Sequence, residues 1–283
     1  MNKIRWNPAD RPAMNIKENK GVTYLTYPAL EELSGFVHAF STRLGGVSEG
    51  IYSSMNLSFT RGDDENSVME NYRRLAEAVG FSVENIVTSD QTHTANVRVI
   101  TEADRGNGIT KPRPYTDVDG MITNVPGLVL ATFYADCVPL YFIDPVRKAI
   151  GLSHSGWRGT AAHIGAVTVR KMQEEYGSLP EDIYGAIGPS ICQECYEVSE
   201  DVILEFQKTF PEQSWRDLFY RKENGKYQLN LWEANRQIML EAGLIEEHIS
   251  LPGLCTCCNP EFLFSHRASR GKRGNLGAFL GII

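Results

Sequence analysis

The sequence has no run of apolar residues approaching the ~18 that a membrane span requires. Its opening, MNKIRWNPADRPAMNIKENK, also has no apolar core of the kind a secretory leader carries. There is no surplus of positive charge: 28 Lys+Arg stand against 35 Asp+Glu, a net charge of −7. That balance excludes a broad basic face for nucleic acid and leaves room only for a local basic pocket. Cysteines are too sparse, 6 in 283 residues, to form a disulfide scaffold. No period repeats itself, and no low-complexity stretch is long enough to act as a linker. Together these absences point to a cytoplasmic chain with reduced thiols, no nucleic-acid partner and no membrane partner.

Hydrophobic residues make up 42% and charged residues 22%, enough to bury a core. The first twenty residues are polar and are expected to fray, leaving residues 21–283 as a single domain. Short β-branched or aromatic runs predict strands at Val22 to Tyr27, Phe36 to Ser41, Val97 to Thr101, Gly120 to Thr123 and Leu128 to Tyr134. Further strands are expected at Leu140 to Ile143, Ala149 to His154, Ile249 to Leu251 and Phe262 to Ser265. Helical periodicity marks Asp63 to Gly80, Thr160 to Tyr176, Val198 to Phe210 and Leu229 to Ala242. Helices and strands mixed along the whole length, with several strand–strand neighbours, predict a layered α/β or α+β domain.

Three segments place a metal-capable or nucleophilic group at a strand end: Ser89-Asp90-Gln91-Thr92-His93, Ala135-Asp136-Cys137, and Ser153-His154-Ser155-Gly156-Trp157-Arg158-Gly159-Thr160. One strand separates Cys137 from His154 and returns the chain toward its start, and His93 can supply a third ligand. One thiolate and two imidazoles suit Zn²⁺, and three protein ligands leave a fourth tetrahedral position open, as catalytic zinc sites do. A lone Cys after an apolar strand is ordinarily a small core residue. Here the flanking Asp136 and Ser155 are costly to bury without a purpose.

Other candidates follow from local chemistry. The glycines of the strand-to-helix turn around Gly156 would let backbone N–H groups approach an anion, with Ser155 beside them and Arg158 in bidentate contact with phosphate. Arg43, in the Thr-Arg-Leu-Gly-Gly segment after a strand, could be a second anion-binding arginine. Asp119 offers a carboxylate for acid–base work, although Asp-Gly before a strand is ordinarily a turn. Cys255, Cys257 and Cys258 look like a metal knuckle, but no partner pair follows at finger spacing, so a structural role is expected. The Cys192/Cys195 pair could be redox-active or could join a second metal site.

The segments TRLGGVS, NLSF, DQTH, DVDGMIT, ADCVPLYF, SHSGWRGT, IGPSI, CTCCNP and FSHR occur in this order from about residue 36 onward. This set resembles the YlmD/YfiH-type laccase-domain proteins, once labelled multicopper polyphenol oxidases and now regarded as purine nucleoside phosphorylases. The resemblance implies a layered α/β/β/α sandwich of the cytotoxic-necrotizing-factor/YfiH type, with mixed sheets. It also implies zinc, or Cu²⁺, on His93, Cys137 and His154. Purine nucleosides and phosphate would be the partners: adenosine, inosine, guanosine or methylthioadenosine cleaved by phosphate, with adenosine deamination beside it. Where relatives carry Ser-Tyr-Arg-Arg and a later Gly-Arg, this chain has Ser265-His266-Arg267-Ala268 and Gly274-Asn275. Arg267 is therefore kept and Asn275 replaces an arginine.

The expected activity is phosphorolysis, with Arg43, Arg158 or Arg267 positioning phosphate and Asp119 as the acid. Two rivals differ in class. A copper oxidase acting on phenols would need four coppers, and six histidines are few for that. A metal-free hydrolase or deamidase acting on cell-wall precursors would use Cys137 as nucleophile and His154 as base.

Overall fold

Period-two alternation sets which way each strand of the computed structural model faces. The model describes residues 4–7 and 13–283. In the strand Val129–Tyr134, Leu130 enters one buried cluster while Val129 and Ala131 enter another. In Gly120–Thr123, Met121 and Ile122 divide in the same way. Strands apolar on both faces must be covered on both faces, and the result is four layers.

The first sheet runs in the order Asn15–Asn19, Val22–Thr26, Phe36–Ser41, Leu276–Ile282, Val129–Tyr134, Ile86–Thr88. The second runs Ile249–Ser250, Tyr184–Ile187, Val138–Asp144, Ala149–Ser155, Gly120–Thr123, Val97–Val99. Both are mixed: Ile86–Thr88 pairs parallel to Val129–Tyr134, and Val97–Val99 parallel to Gly120–Thr123, while most other pairs are antiparallel. Leu25, Phe40, Leu130 and Leu280 of the first sheet share a core with Met121, Tyr141, Ile150 and Leu152 of the second. The outer face of the first sheet is covered by the helix Glu65–Val79 through Val68, Tyr72 and Leu75. The outer face of the second packs on Ile164–Tyr176, Glu200–Thr209 and Leu231–Glu241. This is the α/β/β/α arrangement that the family resemblance implies, and a layered α/β or α+β domain as the mixed pattern of elements predicts.

Several expectations change at the boundaries. The Asp63 to Gly80 helix runs Glu65–Val79, with the Asp64 carboxylate accepting the Ser67 N–H at 2.8 Å and Gly80 in the left-handed region at its end. The helix expected over Thr160 to Tyr176 is two, Trp157–Ala161 and Ile164–Tyr176, because His163 turns left-handed (φ 54°) and packs its ring on Phe210. Phe262 to Ser265 is not a strand. Its apolar residues are buried in the core without ladder partners, and the Ser265 hydroxyl caps the short helix His266–Ser269. The first twenty residues do not all fray. Asn15–Asn19 pairs antiparallel with Val22–Thr26 across Lys20 and Gly21, both at positive φ as a two-residue hairpin turn requires. Residues 1–3 and 8–12 of that expected stretch lie outside the described residues.

Candidate functional site

Two loops and a strand end converge where the sheets meet. Ala135-Asp136-Cys137 is the short crossing from Val129–Tyr134 in the first sheet to Val138–Asp144 in the second. His154 stands near the end of Ala149–Ser155, and His93 lies in the loop between Ile86–Thr88 and Val97–Val99. Their ligand atoms all lie within 4.8 Å of one another, with His93 Nε2 at 3.9 Å from Cys137 Sγ. Two imidazoles and one thiolate at that spacing match a tetrahedral ion with metal–nitrogen bonds of ~2.0–2.1 Å and a metal–sulfur bond of ~2.3 Å.

Each ligand is held by its surroundings. The Asp119 carboxylate sits 2.7 Å from His154 Nδ1, so the proton belongs on Nδ1 and Nε2 turns toward Cys137. Asp119 also accepts the backbone N–H groups of Thr92, His93 and Thr94 at 2.9, 3.1 and 3.0 Å. Those bonds keep His93 in the left-handed region, at φ 68°, a conformation costing on the order of 1–3 kcal/mol. Asp136, at φ 92°, is pinned from three sides. Its carboxylate accepts Thr256 Oγ1 at 2.6 Å and the Arg267 N–H at 2.7 Å, and its carbonyl accepts the Ile191 N–H at 3.0 Å. Gly156 closes the back of the cluster. A Cβ there would stand 3.0 Å from His93 Cδ2 and 3.2 Å from Cys137 Sγ.

The electrostatics follow from this packing. Burial alone would raise the Cys137 thiol, but the neighbouring His154 charge and hydrogen bonds from both histidines bring it down to about 6. Burial would lower His154, yet the Cys137 thiolate and the Asp119 carboxylate raise it to about 9. Asp119, penalised by burial, is held down at about 2 by His154 and the backbone donors. Without a metal, Cys137 and His154 are therefore a thiolate–imidazolium pair at neutral pH.

The cluster opens into a cleft of about 590 Å³ lined by His93, Cys137 and His154. Phe59 and Phe133, both partly exposed, line the same cleft, as do Arg61, Arg113, Arg273 and Asn275. The Arg113 guanidinium is engaged by Asp90 and by the Ser89 carbonyl. Arg273 is buried, with its Nε lacking a partner, and burial and then the nearby Arg61 charge lower it to about 10. Two mutually repelling guanidiniums give that wall of the cleft a positive charge.

Four sequence candidates move away from this role. Arg43 donates to the carbonyls of Ser53 and Pro260 and stacks on Phe264, outside the cleft lining. Arg158 is exposed and lies over the Trp157 ring, also outside the lining. Arg267 donates to the carbonyls of Cys195 and Glu197. Ser155 is fully buried, its hydroxyl bonded to Thr160 and Asn235. Asp119, expected as an acid, is a fully bonded carboxylate that orients His154 and has no proton to give near neutral pH. Arg61, Phe59 and Phe133 carried no motif that could single them out. Arg273 donates a hydrogen bond to Asn275.

A family model described as multi-copper polyphenol oxidoreductase laccase matches residues 37–283. The chain is 40% identical over 252 residues to purine nucleoside phosphorylase YlmD of Geobacillus stearothermophilus, covering 88% of this chain and 90% of that one. It is 34% identical over 234 residues to adenosine deaminase RL5 from an unknown prokaryotic organism, covering 82% and 88%. The crystal structure of YlmD from Geobacillus stearothermophilus matches with a TM-score of 0.89 at 38% identity, over 96% of this chain and 99% of that one.

Proposed function

The chain belongs to the multi-copper polyphenol oxidoreductase laccase family, and from that premise we propose that it is a purine nucleoside phosphorylase. The observation that carries the reading is the three-ligand cluster opening into a cleft whose other wall bears Arg61 and Arg273. Phosphate binds at the two arginines, the purine lies against Phe59 and Phe133, and the ribose C1′ faces the phosphate. A phosphate oxygen bonds to C1′ as the C1′–N9 bond breaks, and the electron pair leaves with the purine. Inosine, guanosine, adenosine and methylthioadenosine are the substrates proposed.

The metal is proposed to be Zn²⁺ on His93, Cys137 and His154. When bound, it supplies Lewis acidity and lowers the pKa of a water toward ~7. Asp119 fixes the His154 tautomer, and Gly156 leaves the space in which the ligands converge. Adenosine deamination at the same cleft is a second reading, favoured by the identity to a relative named adenosine deaminase. A full set of coppers is disfavoured by the remaining histidines. His38 packs on Tyr27 and Tyr141, His163 on Phe210 and His248 on Tyr184, each in a separate place, and His266 is exposed on the short helix His266–Ser269.

The core shared by strands from both ends of the chain supports reading residues 21–283 as one domain. Among the described residues no helix is long and apolar enough to cross a membrane. Free thiols suit the cytoplasm, where we place the reaction.

The deciding assay is release of hypoxanthine from inosine by zinc-loaded protein with and without phosphate. Phosphate-dependent release that falls at least ~10-fold in His93→Ala is expected. Release indifferent to phosphate, or unchanged in that variant, removes the proposal. Activity indifferent to chelators but abolished by alkylating Cys137 would support the cysteine hydrolase instead.

A further inference from the structure

The structure assembles a second metal-ligating group that the proposed reaction does not use. Cys192 and Cys195 form one Cys-x-x-Cys pair, and Cys255 and Cys258 form another. Their four sulfurs lie within 4.8 Å of one another, and Cys257 is outside the group. The two pairs come from loops far apart in sequence, Cys195 and Cys258 being 63 positions apart, and a bridge between Ser190 and Cys255 brings them side by side.

The spacing decides among the possible uses of four cysteines. Cys195 Sγ and Cys258 Sγ are 3.4 Å apart, and Cys192 Sγ and Cys258 Sγ are 4.0 Å apart. A disulfide would hold its sulfurs at ~2.05 Å. A single tetrahedral ion with metal–sulfur bonds of ~2.3 Å sets its sulfurs ~3.8 Å apart, which matches. Backbone donors complete the arrangement: the N–H groups of Cys192 and Cys258 donate to Cys255 Sγ at 3.2 and 3.4 Å. Such donors stabilise thiolate charge, and four sulfurs leave no position open to substrate.

We propose that Cys192, Cys195, Cys255 and Cys258 bind one structural Zn²⁺, separate from the His93, Cys137 and His154 centre. The ion clamps the two loops that grip Asp136. Ile191, next to Cys192, donates its N–H to the Asp136 carbonyl, and Thr256, next to Cys255, donates its hydroxyl to the Asp136 carboxylate. Asp136 precedes Cys137 and is held at φ 92°, so the four-cysteine site holds the backbone that presents the thiolate of the other centre. It also anchors residues near the N-terminus: Trp6 bridges to Leu254, and the Asn259 side chain accepts the Arg5 N–H and donates to the Arg5 carbonyl.

The test is metal analysis of the whole protein, purified in reducing buffer without chelator. Two zinc ions per chain are expected in the native protein, one in His93→Ala, and one in Cys195→Ser or Cys258→Ser. If those serine variants fail to fold, cobalt substitution of His93→Ala gives an independent measurement. The sulfur-to-cobalt charge-transfer bands of a four-thiolate ion should then appear, and Cys192, Cys195, Cys255 and Cys258 should resist alkylation until the metal is withdrawn. A native stoichiometry of one zinc, lost entirely in His93→Ala, overturns the proposal. So does iron in the ion's place, or a mass showing Cys195 and Cys258 joined by a disulfide.

Discussion

The Asp119 carboxylate lies 2.7 Å from His154 Nδ1 with both groups buried. That contact gives the carboxylate the task of orienting an imidazole. It fixes the tautomer, aims Nε2 at the neighbouring thiolate and, through three further backbone N–H groups, holds the loop carrying His93. Asp119→Asn keeps the shape but replaces a charged acceptor with a neutral one. Metal affinity and kcat/KM are both expected to fall by ~10–100-fold, as measured by chelator competition and by nucleoside cleavage. Loss of activity with unchanged metal affinity would mean that Asp119 touches the reacting atoms after all.

The thiolate–imidazolium pair has its own signature in protein stripped of metal. Cys137 is held at about 6, below an ordinary thiol, so its thiolate form is present above that pH and disappears below it. Alkylation of Cys137 by iodoacetamide is expected to rise through a midpoint near pH 6 and then level off. In His154→Gln the positive partner is gone and burial remains, so the midpoint should move up past the ordinary thiol value of ~8.5. The same midpoint in both proteins would show that His154 does not set the thiol's charge.

Phosphate affinity should separate the arginines. Arg61 is exposed at the cleft, and a charge-assisted hydrogen bond is worth ~1.5–3 kcal/mol. Arg61→Ala should accordingly raise the KM for phosphate by ~10–150-fold while leaving the KM for nucleoside nearly unchanged. Arg158→Ala, on an exposed side chain outside the cleft lining, should leave both constants alone. The reverse pattern would return the anion site to the turn after His154.

Much of this site could be read from the sequence because its ligands are local signals. His93, Cys137 and His154 each stand in a polar segment at a strand end, where such residues are conspicuous. The strand Leu276–Ile282, in the middle of the first sheet, was missed because Gly277 and Gly281 interrupt its apolar pattern. They are small because Phe279 and Val129 occupy the space a Cβ would need. Arg61 and Arg273 come from loops remote in sequence and meet only through tertiary packing. The Cys192/Cys195 pair and the Cys255, Cys257, Cys258 triplet were each visible, yet their partnership depends on a bridge between distant loops. Ser155 and Arg158 sat in the most distinctive motif of the chain, and folding turned both away from the cleft.

Gly156 provides the sharpest separation of site geometry from fold stability. Its backbone lies at φ −69°, ψ 177°, a conformation alanine adopts freely, so Gly156→Ala carries no backbone penalty. The added methyl meets His93 Cδ2 at 3.0 Å and Cys137 Sγ at 3.2 Å, closer than relaxed carbon contacts of ~3.5–4.0 Å. His93 is on an exposed loop and can yield, whereas Cys137 is tied through Asp136 and cannot. The expected result is a displaced His93, with metal affinity and turnover down on the order of 10–100-fold and a Tm near that of the parent protein. Thermal melts, zinc titration and steady-state kinetics on the one variant measure all three. A large fall in Tm with the metal site intact would mean that Gly156 serves the packing of the short helix behind it, and that the ligands have more room than the structure gives them.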